Sequence, residues 1–471
     1  MHECCAVTGV YAFNEDVARL TFFTLFALQH RGQESSGIAT ADGKGIQLYA
    51  EMGMVTQVFN EEALSSLSGH IAIGHNRYST SGSSEICNVQ PIIVGKGKDA
   101  LAIAHNGNIV NAAYLYEELS QQGYTFNTST DTEVIAVLIM SSPAKKMVDK
   151  IRYAMHRLQG VYSLTLMTKD HLYAVRDPLG VRPLALGSIN GGYVIASESC
   201  GLDHIGADFI REIEPGEIAV IGENGLESFP EDNTKRALCI FEYIYFARPD
   251  STINGKLLYK ARQAMGAELA KEYPVDADIV MGVPDSAAAA GVGYALESGI
   301  PLVEGLIKNR YVGRTFIEPD QRIRDIGVKL KYNPMPQVLE GKRVVLVDDS
   351  IVRGTTTPHV IKLLKKAGAK EVHMRVVAPP IKYPCFFGVD MATYQQLLAA
   401  VKTVPEIQEF IGADSLGYLS IDGLIRAVGL PKDIFCLACF TGDYPIPVQI
   451  EMDKLALESV ASAKQATLDI K

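Results

Sequence analysis

In the first half of the chain, apolar residues fall into short runs broken by turn-forming positions. Residues 6–13, 71–75, 101–105, 163–167, 172–175 and 193–196 read as strands. Asn106-Gly107 and Asp177-Pro178 read as turns between them. Residues 17–28 and 131–139 repeat their apolar positions at helical spacing. Many strands with a few helices predict a layered α+β unit.

The pattern then changes. Residues 256–271 read as a helix, and 279–283 as a strand ending in Pro284-Asp285-Ser286. Residues 343–347 form a continuous apolar strand that ends in Asp348-Asp349. A helix over 358–367 places Val360, Leu363, Leu364 and Ala367 on one face, and 372–377 is the next strand. Strand, helix, strand at this spacing predicts a parallel α/β sheet. The change falls near the polar stretch 230–236, which divides the chain into domains 5–235 and 236–471. There is no internal repeat and no low-complexity stretch.

Composition narrows the picture modestly. The 471 residues suit two or three domains at about 150 residues each. Net charge is -10 with no basic block, which argues against a dedicated nucleic-acid binder. No apolar run reaches the roughly 18 residues of a membrane helix. No basic stretch precedes an apolar one at the N-terminus, so a cytoplasmic location is expected. In a reducing compartment the eight cysteines are expected to be catalytic, metal-binding or buried rather than disulfide-bonded.

The richest segment runs from Val344 to Thr356: VVLVDDSIVRGTT. A buried strand delivers two carboxylates to its C-terminal end, where open α/β sheets bind ligands. The following helix N-terminus offers unpaired N–H groups to a phosphate. Ser350, Arg353, Thr355 and Thr356 add donors, and Gly354 permits close backbone approach. Asp348 and Asp349 can accept hydrogen bonds from vicinal sugar hydroxyls. The dipeptide alone reads as a strand end with Thr357 capping a helix; the whole string resembles the phosphoribosyl-pyrophosphate motif of type I phosphoribosyltransferases. No P-loop is present. The turn at Ser286 can meet a pyrophosphate or its Mg²⁺. A basic segment from Lys308 through Arg310, Arg314, Arg322, Arg324 and Lys329 to Lys331 suits equally a loop closing over a polyanion and a plain solvated loop.

Near the N-terminus stand Cys4-Cys5, with Gly9 four residues after Cys5. Alone, the pair reads as buried strand cysteines. Further along come His30-Arg31-Gly32-Gln33-Glu34, His75-Asn76-Arg77-Tyr78-Ser79-Thr80, His105-Asn106-Gly107-Asn108 and Ser129-Thr130-Asp131-Thr132-Glu133. In this order they resemble the N-terminal-nucleophile glutaminase domain of purine-type amidotransferases. That resemblance implies Cys5 as nucleophile, with removal of residues 1–4. A free α-amino group, with a pKa near 8, then serves as its base. Asn106 and Gly107 would stabilise the oxyanion. Arg77 would hold the glutamine carboxylate, and Asp131 its ammonium. Ala6 stands where the family often has Gly, and Cys4 duplicates the nucleophile.

Among the other cysteines only Cys436-Leu437-Ala438-Cys439 has ligand spacing, which leaves zinc, a redox pair, a cluster or nothing open. Cys239, Cys385, Cys436 and Cys439 sit in contexts resembling the iron–sulfur subgroup of the amidophosphoribosyltransferase family, which implies a structural or regulatory 4Fe–4S cluster. Cys87 and Cys200 match nothing.

Taken together, the resemblance spans residues 5 to about 445. It implies an α+β N-terminal-nucleophile domain of layered αββα form, followed by an α/β type I phosphoribosyltransferase domain. The implied activity is transfer of ammonia from glutamine to phosphoribosyl pyrophosphate, the first step of purine synthesis. Mg²⁺ at Ser286, Asp348 and Asp349, purine nucleotides as inhibitors and a homotetramer are implied with it. An isomerase-linked glutaminase is the rival enzyme, and residues 347–356 argue against it. A catalytically dead regulator is the rival of another class. Retention of Cys5, Arg77, Asn106, Gly107 and Asp131 argues against that.

Overall fold

The structure is a computed structural model. It describes residues 5–78, 82–232, 235–309, 331–389, 393–448 and 457. The first half stacks two antiparallel sheets. One has seven strands in the order Asp208–Glu212, Ala185–Ile189, Gly192–Ala196, Ala6–Tyr11, Ile71–Arg77, Ser35–Ala41 and Ile46–Met52. The other has six, in the order Gly225–Phe229, Ile218–Gly222, Leu172–Arg176, Gly160–Met167, Leu101–Ile109 and Ile92–Val94. Val7, Ile71, Ile73, Ala102, Ala104, Leu172, Leu186 and Ile195 fill the space between them. Helix Val17–Ala27 covers the first sheet, and helices Ala112–Gln121, Asp131–Ser141 and Met147–Met155 cover the second. This is the expected αββα sandwich. The central strands of both sheets are buried on both faces, whereas the edge strands Ile46–Met52, Asp208–Glu212 and Gly225–Phe229 are partly or fully exposed and more polar.

One expected turn is corrected. Asn106-Gly107 does not end a strand; Leu101–Ile109 runs straight through it, pairing with Gly160–Met167 over its whole length. Turn propensity loses to the ladder because Gly107 lacks a side chain. A Cβ there would stand 1.9 Å from Val161 O. Asp177-Pro178, by contrast, does turn.

In the second half, strands Ile279–Gly282, Arg343–Asp348, Glu371–Val376 and Ser415–Tyr418 form a parallel sheet in that order. Val344 through Val347 are fully buried at its centre. Helices Leu258–Glu272, Ala288–Ser298, Thr357–Lys366, Val404–Ile411 and Ile421–Val428 accompany it. The expected helix 256–271 begins two residues late, because Lys256–Leu257 pairs with Thr252–Ile253 as a short ribbon. On helix Thr357–Lys366 the buried face is Thr357, Val360, Ile361 and Leu364; Leu363 is only partly covered. Among the described residues no helix is long and apolar enough to cross a membrane.

The halves are joined by buried charge. Glu242, on the π-helix Glu242–Phe246, is fully buried. Its Oε2 accepts from Arg31 Nη2 at 2.6 Å and its Oε1 from Arg182 Nη1 at 3.2 Å. Arg31 also donates through Nε to Glu198. Glu198 further takes His30 Nε2 at 2.7 Å, Arg248 N at 2.8 Å and Ser251 Oγ at 2.6 Å. Burial opposes charge on Glu198, but Arg31 and His30 outweigh it and hold the carboxyl well below its usual range. Removing one partner of a buried ion pair costs about 3–5 kcal/mol, since the other is left buried without its counterion. Glu242→Ala should therefore destabilise the chain by about that amount, read from urea unfolding. A midpoint matching the parent would show that the cluster contributes no cohesion.

Candidate functional site

Cys5 lies immediately before strand Ala6–Tyr11, whose Ala6 pairs with Asn76 on the neighbouring strand. That register sets Cys5 beside the end of Ile71–Arg77. There the thiol meets the Tyr78 peptide twice: Sγ donates to Tyr78 O at 3.2 Å and accepts from Tyr78 N at 3.3 Å. Arg77 and Asp131 are both within electrostatic reach of the thiol. Burial pushes the Cys5 thiol up to about 11, although the Tyr78 N–H and Arg77 favour the thiolate. The thiol in this state is neutral at pH 7 and needs a base.

The facing sheet supplies the other groups. His75 Nε2 meets His105 O at 3.0 Å, which brings the two strand ends together. Asn106 follows, 1% exposed, and neither its Nδ2 nor its Oδ1 meets a protein partner. An unpaired buried amide costs about 1–3 kcal/mol, so its retention needs a reason. A donor kept for a transient oxyanion is one.

Arg77 is buried, with Nη1 on Ser83 O at 3.0 Å. Asp131 opens helix Asp131–Ser141, where the N-terminal dipole favours an anion. Burial alone would raise its pKa, but His105 and the N–H groups of Ile109 and Thr132 bring it below the usual value. His105 and the Tyr78 backbone have roles that sequence reading did not assign. Tyr78 acts through its peptide, which leaves no side-chain signal.

The second site lies at the C-terminal end of strand Arg343–Asp348. Asp349 accepts from Ser286 Oγ at 2.7 Å and Ser350 Oγ at 2.6 Å, which joins the two strand ends named from the sequence. Asp348 Oδ1 accepts from Asp349 N at 2.9 Å. Burial and the adjacent Asp349 charge push the Asp348 carboxyl well up. A cation here would relieve that cost. Gly354 has φ +67°, and a Cβ would meet Leu398 Cδ2 at 2.6 Å, so the loop needs glycine twice over. Arg353 and Thr355 are exposed and Thr356 half-buried, at the start of helix Thr357–Lys366. Lys331 stacks over Tyr332 at 5.2 Å and faces Asp348 electrostatically. Arg310, Arg314, Arg322, Arg324 and Lys329 lie outside the described residues, as do residues 1–4.

Cys239, Cys385, Cys436 and Cys439 line one cavity at the junction, with Arg182, Phe241, Phe387 and Tyr444. Parallel pairing of Leu238–Cys239 with Phe435–Cys436 sets Cys239 opposite Cys436. Burial pushes Cys239 up to about 11 and Cys436 to about 12; Cys385 and Cys439 also rise. Among the described residues no three His, Cys, Asp or Glu side chains converge on a point suited to one metal ion. Cys87 is exposed and Cys200 buried.

The Cys5 environment has a direct chemical readout. With residues 1–4 still attached, Cys5 should be alkylated by iodoacetamide at pH 7 far more slowly than Cys87, and its rate should climb towards pH 11. Peptide mass spectrometry checks this. Equal rates would show that burial does not protect the thiol.

Two family models match the chain: a glutamine amidotransferase domain over residues 75–204 and a phosphoribosyl transferase domain over residues 253–412. Amidophosphoribosyltransferase from Synechococcus elongatus is 50% identical over 469 residues, covering 98% of this chain and 95% of the relative. The Methanocaldococcus jannaschii enzyme of that name is 49% identical, covering 95% and 98%. The glutamine phosphoribosylpyrophosphate amidotransferase of B. subtilis, solved with ADP and GMP, superposes with TM-score 0.89 at 45% identity, covering 95% of this chain and 98% of that one. Two sites, two matching domains and near-complete coverage agree: the chain belongs to the amidophosphoribosyltransferase family.

Proposed function

We propose that this chain hydrolyses glutamine and transfers the ammonia to phosphoribosyl pyrophosphate. The products are 5-phosphoribosylamine, pyrophosphate and glutamate, in the first step of de novo purine (IMP) synthesis. One observation carries the reading: a buried thiol, with an unpartnered buried amide on the facing sheet, shares a chain with an acidic strand end feeding a Gly-Thr loop.

In the first half-reaction Cys5 Sγ adds to the glutamine amide carbonyl. The C–N bond breaks, ammonia leaves, and water hydrolyses the thioester to glutamate. Asn106 Nδ2 and Gly107 N–H meet the oxyanion, Arg77 holds the substrate carboxylate and Asp131 its ammonium. The base is the Cys5 α-amine, which exists only once residues 1–4 are removed. We assign this chemistry to domain 5–235.

In the second half-reaction ammonia displaces pyrophosphate at the ribose C1 carbon, within domain 236–471. Asp348 and Asp349 take the ribose hydroxyls. Ser350, Arg353, Gly354, Thr355 and Thr356 cradle the 5-phosphate at the helix N-terminus, and Lys331 faces the pyrophosphate. Two carboxylates and the Ser286 hydroxyl form a hard oxygen set that suits Mg²⁺, which keeps most of its shell as water and phosphate. Bound Mg²⁺ would neutralise the leaving pyrophosphate.

The thiols of Cys239, Cys385, Cys436 and Cys439 line one cavity, and these four thiolates would hold a 4Fe–4S cluster. Their raised pKa values mean that loading would release protons. We further propose purine nucleotides as inhibitors, since a structural relative was solved with ADP and GMP, along with a homotetramer and a cytoplasmic location.

The two half-reactions should separate by mutation. In mature chain whose intact mass shows Cys5 at the N-terminus, Cys5→Ala should abolish glutamine-dependent pyrophosphate release and spare the ammonia-dependent rate. Asp349→Asn should lower both rates by about tenfold or more. Loss of both rates in Cys5→Ala would refute the division of labour. Anaerobically purified protein should carry four iron and four sulfide per chain, and Cys436→Ser should carry far less of both. Zinc alone, bound stoichiometrically, would overturn the cluster assignment.

A further inference from the structure

The Asn106 side chain makes no hydrogen bond to the protein, so its amide is positioned through the backbone. Whatever holds residues 107 and 108 therefore sets the oxyanion donors. Part of that hold is the ladder to Gly160–Met167, and part comes from the other half of the chain. Asn108 is 9% exposed, and its Nδ2 donates to Phe386 O at 2.9 Å. The next carbonyl, Phe387 O, accepts from Arg182 Nη2 at 2.7 Å. Gly388, with φ +84°, lies flat on Gly107: a Cβ there would stand 3.0 Å from both C and O of Gly107. Phe386 and Phe387 pack with Val161, the cross-strand partner of Asn108.

We infer that residues 386–388 are a strap that positions the oxyanion strand, with Asn108 and Gly388 as positioning residues for glutamine hydrolysis. Neither touches the substrate. The inference rests on the reading of Cys5, Asn106 and Gly107 as the glutaminase centre. A simple packing contact would contribute to stability alone. A strap contributes to the transition state, because a small displacement of a preorganised donor costs rate rather than ground-state binding.

The test uses full-length, processed protein carrying Asn108→Ala. The kcat for glutamine hydrolysis should fall by about tenfold to a hundredfold with little change in KM for glutamine. Ammonia-dependent synthesis should be unchanged. The rate of Cys5 alkylation by iodoacetamide should also be unchanged, since it needs no oxyanion hole. Gly388→Ala should act in the same direction. If Asn108→Ala fails to fold, Asn108→Asp keeps the shape and removes the donor. Unchanged glutamine kcat, or equal fractional loss of glutamine- and ammonia-dependent turnover, would overturn the strap. If the unsubstituted protein hydrolyses no glutamine at all, the glutaminase reading itself falls, and the strap with it.

Discussion

Glu242 cannot be buried without cations, and the two nearest guanidinium groups come from distant parts of the first domain. Arg31 follows helix Val17–Ala27, and Arg182 precedes strand Ala185–Ile189. The cost of an unpaired buried carboxylate thus ties both to the chain that begins the second half. Glu198 extends the tie to Arg248 and Ser251. Arg182 does more than pair: it lines the cysteine cavity and holds Phe387 O. One buried network therefore sets the relation between the sandwich, the cysteine cavity and the segment that touches strand Leu101–Ile109.

The two candidate sites are built on opposite electrostatic logic. Around Cys5, burial keeps a thiol neutral while Arg77 and the Tyr78 N–H stand ready to favour the thiolate. At Asp348 and Asp349, two carboxylates are crowded until one is strongly disfavoured as an anion. The first arrangement needs a base, and the second a cation. In both, burial disfavours the charged form, and shifts of this kind concentrate at functional sites.

The segment around residue 388 is where these sites approach through the chain itself. Gly388 lies on Gly107, while ten residues later Leu398 donates its N–H to Val352 O at 2.9 Å and packs on Gly354. Contacts of this kind restrict how each loop can sit.

The sequence by itself determined the fold class and named the candidate chemistry. Short apolar runs in the first half and a continuous apolar strand at 343–347 pointed to two unlike sheets, because burial on both faces dictates composition. Cys5, Arg77, Asn106 and Asp131 were legible as candidates because side-chain chemistry leaves a mark in sequence motifs, and the structure sets Arg77 and Asp131 within electrostatic reach of Cys5. Asn106-Gly107 was misread as a turn, since local propensity carries no information about the ladder partners Ser163 and Tyr162, which lie on a strand much later in the chain. Only tertiary structure decided that the Asn106 amide is unpartnered, that Tyr78 holds Cys5 through its peptide, and that Phe386 anchors Asn108. Those are backbone and burial facts. They depend on which distant segments the core brings into contact, and no residue pattern along the chain records them.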